Sequence, residues 1–596
     1  MSDDLVIGMA GSGGDGIVSA GESLLTAAAL EGYHAIMTKS FGSQIRGGES
    51  SCRLRISTHA VWNPGDTLDV AVALNWPDFM KFGAQLPVGG RTIVIYDGKA
   101  EGTSPTIPLT GVTPAQVLAV PITEMAKKAS GGDRAKNTLV LGLLAGWFDI
   151  ARDAIRAGMV KKFARKSREV LDANERAFTA GLTYAETHPL TTKRVMSRPH
   201  TASAKKLVVD GNEMCAAAAI IAGCEFFGGY PITPSSEIMQ FLDREIWSYG
   251  GTMLQAEDEI AGIGAVVGAS FAGKKAMTAT SGPGMSLKTE MLGLASIAEL
   301  PLVCVNVQRG GPSTGLPTKS EQADLFQAIF SGHGDTVRPV LAPIDVHDTF
   351  AMTVEAFNLA EQYQTPVILL SDQDIAQRKE IVDPPDPTAI RLVERRKPTA
   401  KELENYQRFR ITESHVSPIT HPGTPGGNYL ASGIEHDEHG SPTASGEMHA
   451  RMNDKRLTKL DPLQRRRDLF IITGDADAPV GLISWGSVAG IAMEALQLAR
   501  AEGLQVKLLV PKLLYPVSRE VYQDFFASVK AGLVIEQSHQ GQLHKVIRMH
   551  ADVPDGVESL AKSGANPILA SEVLERVRQM ALALQRKQVP RSEPRE

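Results

Sequence analysis

Residues 211–238 read GNEMCAAAAIIAGCEFFGGYPITPSSEI, and this stretch decides the fold class. Its small residues predict a closely packed helix at Glu213–Gly223, an apolar strand at Cys224–Gly228 and a second helix from Glu237. Alternation of helices and strands is typical of a parallel sheet covered by helices. Because such sheets bind ligands in the loops that follow their strands, we expect the proline-rich turn to form part of a binding site.

The alternation continues on both sides of this stretch and predicts an α/β protein with three doubly wound units. Polar, proline-containing sequence without periodicity indicates the segments between them. The predicted order is a first unit at 1–190, a linker at 191–205, a second unit at 206–380, an irregular connector at 381–470, a third unit at 471–583 and a tail at 584–596. Within the second unit, Leu254–Gly273 predicts one long helix rich in alanine and glycine.

Composition and charge exclude several classes of protein. The 596 residues carry 61 Lys and Arg against 67 Asp and Glu, and this net charge of −6 argues against nucleic-acid binding. A hydrophobic content of 43% is that of a soluble globular protein. The N-terminus lacks a basic segment, and the apolar stretches are shorter than the roughly 20 residues of a membrane-spanning helix. We therefore expect a cytoplasmic protein that does not contact a membrane.

The four cysteines are too few for a disulfide framework and indicate a reducing compartment. They are Cys52, Cys215, Cys224 and Cys304. No two have CxxC spacing, so we expect no iron–sulfur cluster or structural zinc held by this chain alone. The segment Glu435-His-Asp-Glu-His439, with His449 nearby, admits a metal site as an alternative, but an exposed polar loop is favoured and no metal ligand is predicted.

Two glycine-rich loops near the N-terminus are candidate ligand sites. Gly11–Gly16 (GSGGDG) fits the GxGxxG pattern of an anion-binding turn between strand and helix. A dinucleotide site also needs an acid after the second strand, where Met37–Lys39 stands instead, so a close-packed turn that meets a ligand or partner is favoured. In the second loop, Arg46 is either a carboxylate or phosphate ligand or a solvated surface residue.

The second unit contains the remaining candidates. Two prolines bracket Thr233 and hold its hydroxyl in place, while Ser235 or Ser236 is expected to cap the next helix. Glu259 lies in the first turn of an Ala/Gly-rich helix, where an acid favours the helix dipole and the small residues after it imply burial. Arg309 ends an apolar strand before a run of glycines, which is typical of a carboxylate clamp, although a tight turn with a solvated arginine is the alternative.

Three stretches together resemble the α subunit of 2-oxoacid:ferredoxin oxidoreductases. They are residues 211–238, EDEIAGIGAVVGASFAGKKAMTATSGPG at 257–284 and VQRGGPSTGLPTKSEQADL at 307–325. Residues 1–190, with GSGGDG and IRGGES, resemble the γ component of these enzymes, and GIEHDEHG and EQSHQGQL also match. The γ–α fusion looks most like the 2-oxoglutarate type with a separate β subunit.

The resemblance implies the identity of each unit and of the cofactors. In order, the units become a γ-type domain, a thiamine diphosphate pyrimidine-binding domain and a transketolase C-terminal-like domain. The implied reaction is oxidative decarboxylation of 2-oxoglutarate to succinyl-CoA with coenzyme A as co-substrate and ferredoxin as electron acceptor, or the reverse reductive carboxylation. Thiamine diphosphate is shared with a β subunit that holds Mg²⁺ and a [4Fe-4S] cluster, in an αβ or (αβ)₂ assembly. The missing GDG…Asn motif and cysteine cluster agree with this division.

The resemblance also assigns roles to residues. Glu259 is the catalytic glutamate that hydrogen-bonds the aminopyrimidine ring, and Thr233 and Arg309 bind the 2-oxoacid carboxylate. Arg46 is the candidate for the distal carboxylate. The remaining expected cofactor contacts are Tyr230, Pro231, Ile232, Ser281 and Gly282.

Alternatives to this interpretation differ in substrate or in class. The same chemistry on pyruvate or a branched-chain 2-oxoacid is the first. An NAD(P)-dependent dehydrogenase that uses Gly11–Gly16 is the second, and a non-catalytic scaffold subunit is the third. A substrate panel, nucleotide binding by the isolated chain and the effect of Glu259→Ala distinguish them.

Overall fold

The computed structural model describes residues 2–42, 48–98, 108–150, 152–163, 166–192, 194–199 and 205–588. Arg46, part of the predicted linker and most of the predicted tail lie outside these ranges. The chain forms two compact units, one of residues 1–210 with 377–384 and one of residues 211–376 with 385–596. The boundaries predicted from sequence divide the chain differently. They assign residues 206–210 and 377–380 to the second of the three predicted units, whereas these residues belong to the first compact unit of the structure.

Helices and strands alternate along most of the described chain. The strands are β1 (Asp4–Gly11), β2 (His34–Phe41), β3 (Ser50–Ser57), β4 (Val70–Ala73), β5 (Ile93–Asp97), β6 (Gln116–Val120), β7 (Leu207–Asp210), β8 (Phe226–Gly229), β9 (Thr252–Gln255), β10 (Ala276–Thr280), β11 (Leu302–Gln308), β12 (Val340–Leu341), β13 (Pro366–Asp372), β14 (Lys379–Val382), β15 (Phe470–Gly474), β16 (Val480–Ser484), β17 (Val506–Pro511), β18 (Leu513–Tyr515), β19 (Ala531–Glu536) and β20 (Val557–Ala561). The helices are α1 (Ile17–Leu30), α2 (Trp76–Lys81), α3 (Ile122–Ser130), α4 (Lys136–Phe148), α5 (Arg152–Phe163), α6 (Arg168–Thr187), α7 (Gly211–Ile221), α8 (Ser236–Glu245), α9 (Glu259–Phe271), α10 (Gly282–Ile297), α11 (Leu325–Phe330), α12 (Val346–Tyr363), α13 (Gln373–Gln377), α14 (Ala400–Leu403), α15 (Gly446–Thr458), α16 (Ala489–Ala501), α17 (Arg519–Phe526), α18 (Gln542–His550) and α19 (Ala570–Gln588). None of the helices in the described ranges combines the length and apolar character needed to cross a membrane.

The first unit is built on an eight-stranded sheet with the order β6-β5-β4-β1-β3-β2-β14-β7. The strands from β6 to β1 are parallel, whereas the pairings of β3, β2, β14 and β7 are antiparallel. The predicted strand–helix–strand motif β1–α1–β2 is present, but β3 lies between its two strands. Helices α4 and α6 pack closely because Gly142 has no side chain, and a β-carbon there would collide with the Phe178 carbonyl.

The second unit contains two sheets that are mostly parallel. The larger has the order β18-β12-β13-β11-β10-β8-β9, and only β18 is antiparallel to its neighbour. The smaller has the order β15-β17-β16-β19-β20, with β15 antiparallel. These sheets confirm the predicted α/β class. Strand β18 lies in the third of the units predicted from sequence (471–583), but it forms the edge strand of the larger sheet.

One predicted helix begins later than its sequence pattern suggests. The helix expected at Leu254–Gly273 is strand β9 up to Gln255, and α9 starts only at Glu259. The physical reason is the cap, because the Asp258 Oδ1 atom accepts a hydrogen bond from the Ala261 N–H at 2.7 Å. This start places Glu259 in the first turn of the helix.

The predicted connector is largely irregular, but it also contains the end of β14, the short helix α14, the 13-residue helix α15 and three 3-10 turns. It is nevertheless anchored by buried charges. Lys455 and Lys459 both donate to the Glu299 carboxylate, the latter at 3.0 Å, and Arg408 donates to the Glu299 carbonyl at 2.7 Å. Burial opposes the ionised form of Glu299, but these cations outweigh it and hold the pKa of the carboxyl well below its usual range. The connector is therefore part of the second unit's packed interior.

Candidate active site at the carboxyl ends of β8, β10 and β11

The proline-bracketed turn after β8 is held by two buried polar side chains. The Asn212 Nδ2 atom donates to the Pro234 carbonyl at 2.7 Å, and the Ser235 hydroxyl donates to the Ile232 carbonyl at 3.0 Å. Ser235 occupies the N-cap position of α8, but its side chain does not cap the helix as expected. The Ser235 hydroxyl closes the turn instead of capping the helix. The turn therefore holds the backbone from Tyr230 to Thr233 at the sheet edge, with the Tyr230 side chain exposed.

Arg309 and Thr233, predicted to share a site, are in direct contact. Arg309 follows β11, is only 7% exposed and donates from Nη1 to the Thr233 carbonyl. Burial lowers the pKa of the guanidinium, while Asp324 nearby opposes that change. The Arg309 Nε atom is buried and has no hydrogen-bond partner among the described residues. A partly desolvated guanidinium with a free donor is suited to a ligand carboxylate.

Glu259 is positioned by glycines on two neighbouring elements. The first turns of α9 approach β8 closely, because a β-carbon on Gly228 would lie 2.7 Å from the Gly262 carbonyl oxygen. On the other side, a β-carbon on Gly284 would lie 2.7 Å from the Glu259 Oε1 atom and would also collide with the Thr280 hydroxyl. The carboxylate therefore occupies the space that glycine leaves at the start of α10.

The Glu259 carboxylate has no hydrogen-bond partner in the described part of the chain. Its residue is 7% exposed, and the hydrogen bond recorded for it uses the backbone carbonyl. The Ser281 hydroxyl, at the N-terminus of α10, is fully buried and likewise unpartnered among the described residues. A carboxylate and a hydroxyl left open at one sheet edge fit the amine and ring nitrogens of an aminopyrimidine.

Lys288 is a functional candidate that sequence reasoning missed. Its side chain is fully buried on α10, and its Nζ atom donates to the Glu259 carbonyl at 2.9 Å. Burial lowers the pKa of the lysine, and Cys304, Glu259 and Asp258 oppose this shift. Lys288 stands in a mixed stretch beside Thr289 and Glu290, so no local pattern in the sequence indicated its burial.

Asp324 is a second residue that was not singled out. Its Oδ2 atom accepts from the Asn306 Nδ2 atom at 3.1 Å and lies 3.0 Å from the position of a β-carbon on Gly282. Burial raises the pKa of this carboxyl to about 6, against the opposing effects of Asn306 and Arg309. The Asp324 side chain therefore contacts the predicted cofactor residue Gly282.

The long loop between Arg309 and α11 is fixed by the smaller sheet of the same unit. The Glu321 carboxylate accepts the Gly564 N–H at 2.9 Å. The Gln322 side chain donates to the Trp485 carbonyl at 2.8 Å and accepts the Gln537 N–H at 2.9 Å. Because these anchors are buried, the loop holds Arg309 in a rigid setting.

The other sequence candidates are occupied by internal contacts. In the GSGGDG turn, Asp15 accepts the Ser12 N–H at 2.9 Å and pairs with Lys136 at 2.6 Å. The Asp15 carboxylate thus occupies the Ser12 N–H, a backbone donor that the phosphate of a dinucleotide would need. This contact disfavours the NAD(P)-dependent dehydrogenase alternative. Arg46, proposed for the distal carboxylate, lies outside the described residues.

The Glu435–His439 segment forms ion pairs and stacks on an aromatic ring. Burial raises the Glu435 pKa, but Arg456 and His449 outweigh it and bring the value to about 2. His436 is buried against the Phe409 ring at a centroid distance of 3.9 Å, so the expected exposed loop is only partly exposed. Across the described residues, no three His, Cys, Asp or Glu side chains are grouped to hold a metal ion.

The four cysteines are buried thiols. Burial raises the pKa of Cys52 and Cys224 to about 12 and that of Cys215 and Cys304 to about 11. Metal clusters bind thiolates, and these groups are protonated at neutral pH. Their environments are those of apolar packing residues.

Comparison with known proteins identifies the family. Residues 217–455 match the family model of the thiamine diphosphate-binding region of pyruvate flavodoxin/ferredoxin oxidoreductases, and residues 6–184 match that of pyruvate ferredoxin/flavodoxin oxidoreductase. The chain is 30% identical to the alpha subunit of 2-oxoacid:ferredoxin oxidoreductase 2 from Aeropyrum pernix, over 97% of both chains. The chain belongs to the 2-oxoacid:ferredoxin oxidoreductase family.

Two further members are similar to this 2-oxoacid:ferredoxin oxidoreductase chain along nearly its whole length. The 2-oxoglutarate oxidoreductase subunit KorA of Mycobacterium tuberculosis is 35% identical, over 96% of this chain and 90% of the relative. The structure of 2-oxoglutarate:ferredoxin oxidoreductase from Magnetococcus marinus, with 2-oxoglutarate, coenzyme A and succinyl-CoA bound, is 37% identical. It covers 97% of this chain and all of that one with a TM-score of 0.92. The predicted family resemblance is confirmed.

Proposed function

We propose that this chain is the α subunit of a 2-oxoglutarate:ferredoxin oxidoreductase. The reaction cleaves the bond between the carboxylate and keto carbons of 2-oxoglutarate, releases CO₂ and joins the remaining acyl group to the sulfur of coenzyme A. Two electrons pass to ferredoxin and the thiol proton is released, or the sequence runs in reverse. The observation that supports this proposal most strongly is the position of Glu259. This residue, with an unpartnered carboxylate, lies at the same sheet edge as the contact between Arg309 and Thr233.

The donor and acceptor groups present fit thiamine diphosphate. Glu259 and Ser281 offer a carboxylate and a hydroxyl to the aminopyrimidine. Gly282 and the turn Tyr230–Ile232 follow the neighbouring strands β10 and β8. When bound, the cofactor supplies an electron sink for the pair left behind by CO₂. Glu259 shares a proton with the ring, and burial largely shields this glutamate from solvent. Arg309 and Thr233 orient the substrate carboxylate.

A second subunit supplies what this chain does not. The relatives are named as alpha and KorA subunits, which supports a multi-subunit enzyme. The buried, protonated cysteines support placing the [4Fe-4S] cluster on a β subunit, together with Mg²⁺ and the diphosphate site. The assembly is αβ or (αβ)₂, works in the cytoplasm and passes electrons to ferredoxin.

The experiment compares the chain alone with the chain co-expressed with its cluster-bearing partner. The complex is expected to reduce a viologen dye with 2-oxoglutarate and coenzyme A, and the isolated chain is not. A panel with pyruvate and branched-chain 2-oxoacids tests the substrate. Absence of a rate with any 2-oxoacid contradicts the proposal, and tight NAD or NADP binding by the isolated chain favours the dehydrogenase alternative instead.

A further inference from the structure

Asp324 places a half-buried carboxyl group at the edge where the proposed substrate and cofactor residues meet. Its side chain is fixed by the Asn306 amide at 3.1 Å, and its backbone N–H donates to the Gln308 Oε1 atom at 3.0 Å. Both partners belong to β11, the strand that leads to Arg309. The carboxyl group is thus held by the sheet next to the proposed carboxylate clamp.

Unsatisfied polar atoms surround the same point. Among the described residues, Asn306 Oδ1, Ser281 Oγ and Arg309 Nε are buried and lack hydrogen-bond partners. Buried polar groups are normally paired, so three unpaired atoms at the ends of β10 and β11 indicate that a ligand completes them. Asp324 borders this group through its contact with Gly282 and its bond to Asn306.

Two charged residues face the Asp324 carboxyl. Glu321 raises its pKa and Arg309 lowers it, while burial is the largest influence and brings the value to about 6. Glu321 is itself held by the Gly564 N–H. A ligand carboxylate that pairs with Arg309 offsets the positive charge that this arginine presents to Asp324. The Asp324 carboxylate is then left with negative neighbours, which favours its protonated form.

We propose that Asp324 is a positioning residue that couples binding of the substrate carboxylate at Arg309 to the uptake of one proton. This inference rests on the proposed function. The proton moves from solvent to the Asp324 carboxylate as the substrate binds, and no other bond changes. Once the substrate carboxylate has left as CO₂, Arg309 again faces Asp324 alone and the proton returns to solvent.

The test measures the inhibition constant of glutarate against 2-oxoglutarate in the assembled holoenzyme. Glutarate carries both carboxylates but no keto group, so it binds without being decarboxylated. In the wild type we expect the inhibition constant to rise with pH, by up to tenfold per unit, from about pH 6.5 towards about pH 8. Asp324→Asn, which keeps the shape and removes the titration, is expected to abolish this slope.

Asp335→Asn is the matched control, because this exposed carboxylate lies in the loop that follows α11. It is expected to retain the wild-type slope. A second measurement needs no variant: titration calorimetry of the wild-type complex with glutarate, in two buffers of different ionisation enthalpy, is expected to show uptake approaching one proton at about pH 7.5.

The outcomes separate this inference from the proposed function. An unchanged slope in Asp324→Asn, or no proton uptake by the wild type, overturns the coupling even when dye reduction with 2-oxoglutarate is normal. Absence of dye reduction with every 2-oxoacid overturns the proposed function itself. Loss of the slope in Asp324→Asn, with the slope kept in Asp335→Asn and dye reduction by the wild-type complex, supports both.

Discussion

Gly284→Ala is expected to displace the catalytic carboxylate while leaving the protein folded. The new β-carbon would lie 2.7 Å from the Cγ and Oε1 atoms of Glu259, whereas ordinary contacts begin at 3.4 Å. The Thr280 hydroxyl lies closer still, so both side chains must give way, and the Glu259 atoms must move by about 0.7 Å. A misplacement near 1 Å costs on the order of 100-fold in rate, or about 2.7 kcal/mol.

The assay is 2-oxoglutarate- and coenzyme A-dependent dye reduction by the assembled complex, with the melting temperature measured in parallel. Gly284→Ala is expected to lower kcat by roughly 100-fold in the assembled complex. Because the added carbon also collides with the buried Thr280 hydroxyl, the melting temperature is expected to fall as well. Gly293→Ala is the matched control, since it lies on the same helix with no atom within 4 Å of the added carbon. Full activity of Gly284→Ala, or an equal loss in Gly293→Ala, would refute the positioning of Glu259 by this glycine.

Three further changes test other contacts. Arg309→Lys replaces a planar fork by a point charge and is expected to raise the KM for 2-oxoglutarate at least tenfold with a smaller change in kcat, so an unchanged KM in steady-state kinetics counts against the clamp. Lys288→Met removes the donor to the Glu259 carbonyl and is expected to lower kcat about tenfold, whereas Lys288→Arg is expected to restore the rate. Equal rates for the wild type, Lys288→Met and Lys288→Arg would exclude a positioning role of Lys288. Glu299→Gln leaves two buried ammonium groups without their carboxylate and is expected to cost about 3–5 kcal/mol of unfolding free energy in denaturant titrations. Because the folded-state pKa of Glu299 is lowered, its stabilisation is fully present above about pH 4.3 and fades as the pH falls further, so the variant's deficit should shrink in acid; a deficit independent of pH would contradict the ion pairs.

The sequence predicted elements whose pattern is local. The apolar strand predicted before Arg309 is present as the fully buried strand Leu302–Gln308. Thr233 and Arg309 were assigned to one site by resemblance, and the structure brings them into contact. Their roles in binding substrate stay predictions, as do those of the proposed cofactor residues.

Features that depend on long-range pairing were not predictable. Strand β3 carries Arg53 and Arg55 within an alternating pattern. It lies between β1 and β2, although the helix α1 that connects these two strands suggested that they would be neighbours. Strand β14 lies far along the chain yet joins the sheet of the first unit. Lys288 and Asp324 gain their meaning from partners distant in sequence, because burial and hydrogen bonding arise only in the folded chain.

Dye reduction by the complex assembled with either the wild-type chain or Glu259→Gln shows whether Glu259 exchanges a proton with the cofactor ring. Glutamine keeps the size of the side chain but cannot share a proton with the cofactor ring. We expect a 2-oxoglutarate- and coenzyme A-dependent rate in the wild type and a loss of about 10²- to 10⁴-fold in the variant, with unchanged assembly. A fully active Glu259→Gln complex would contradict it.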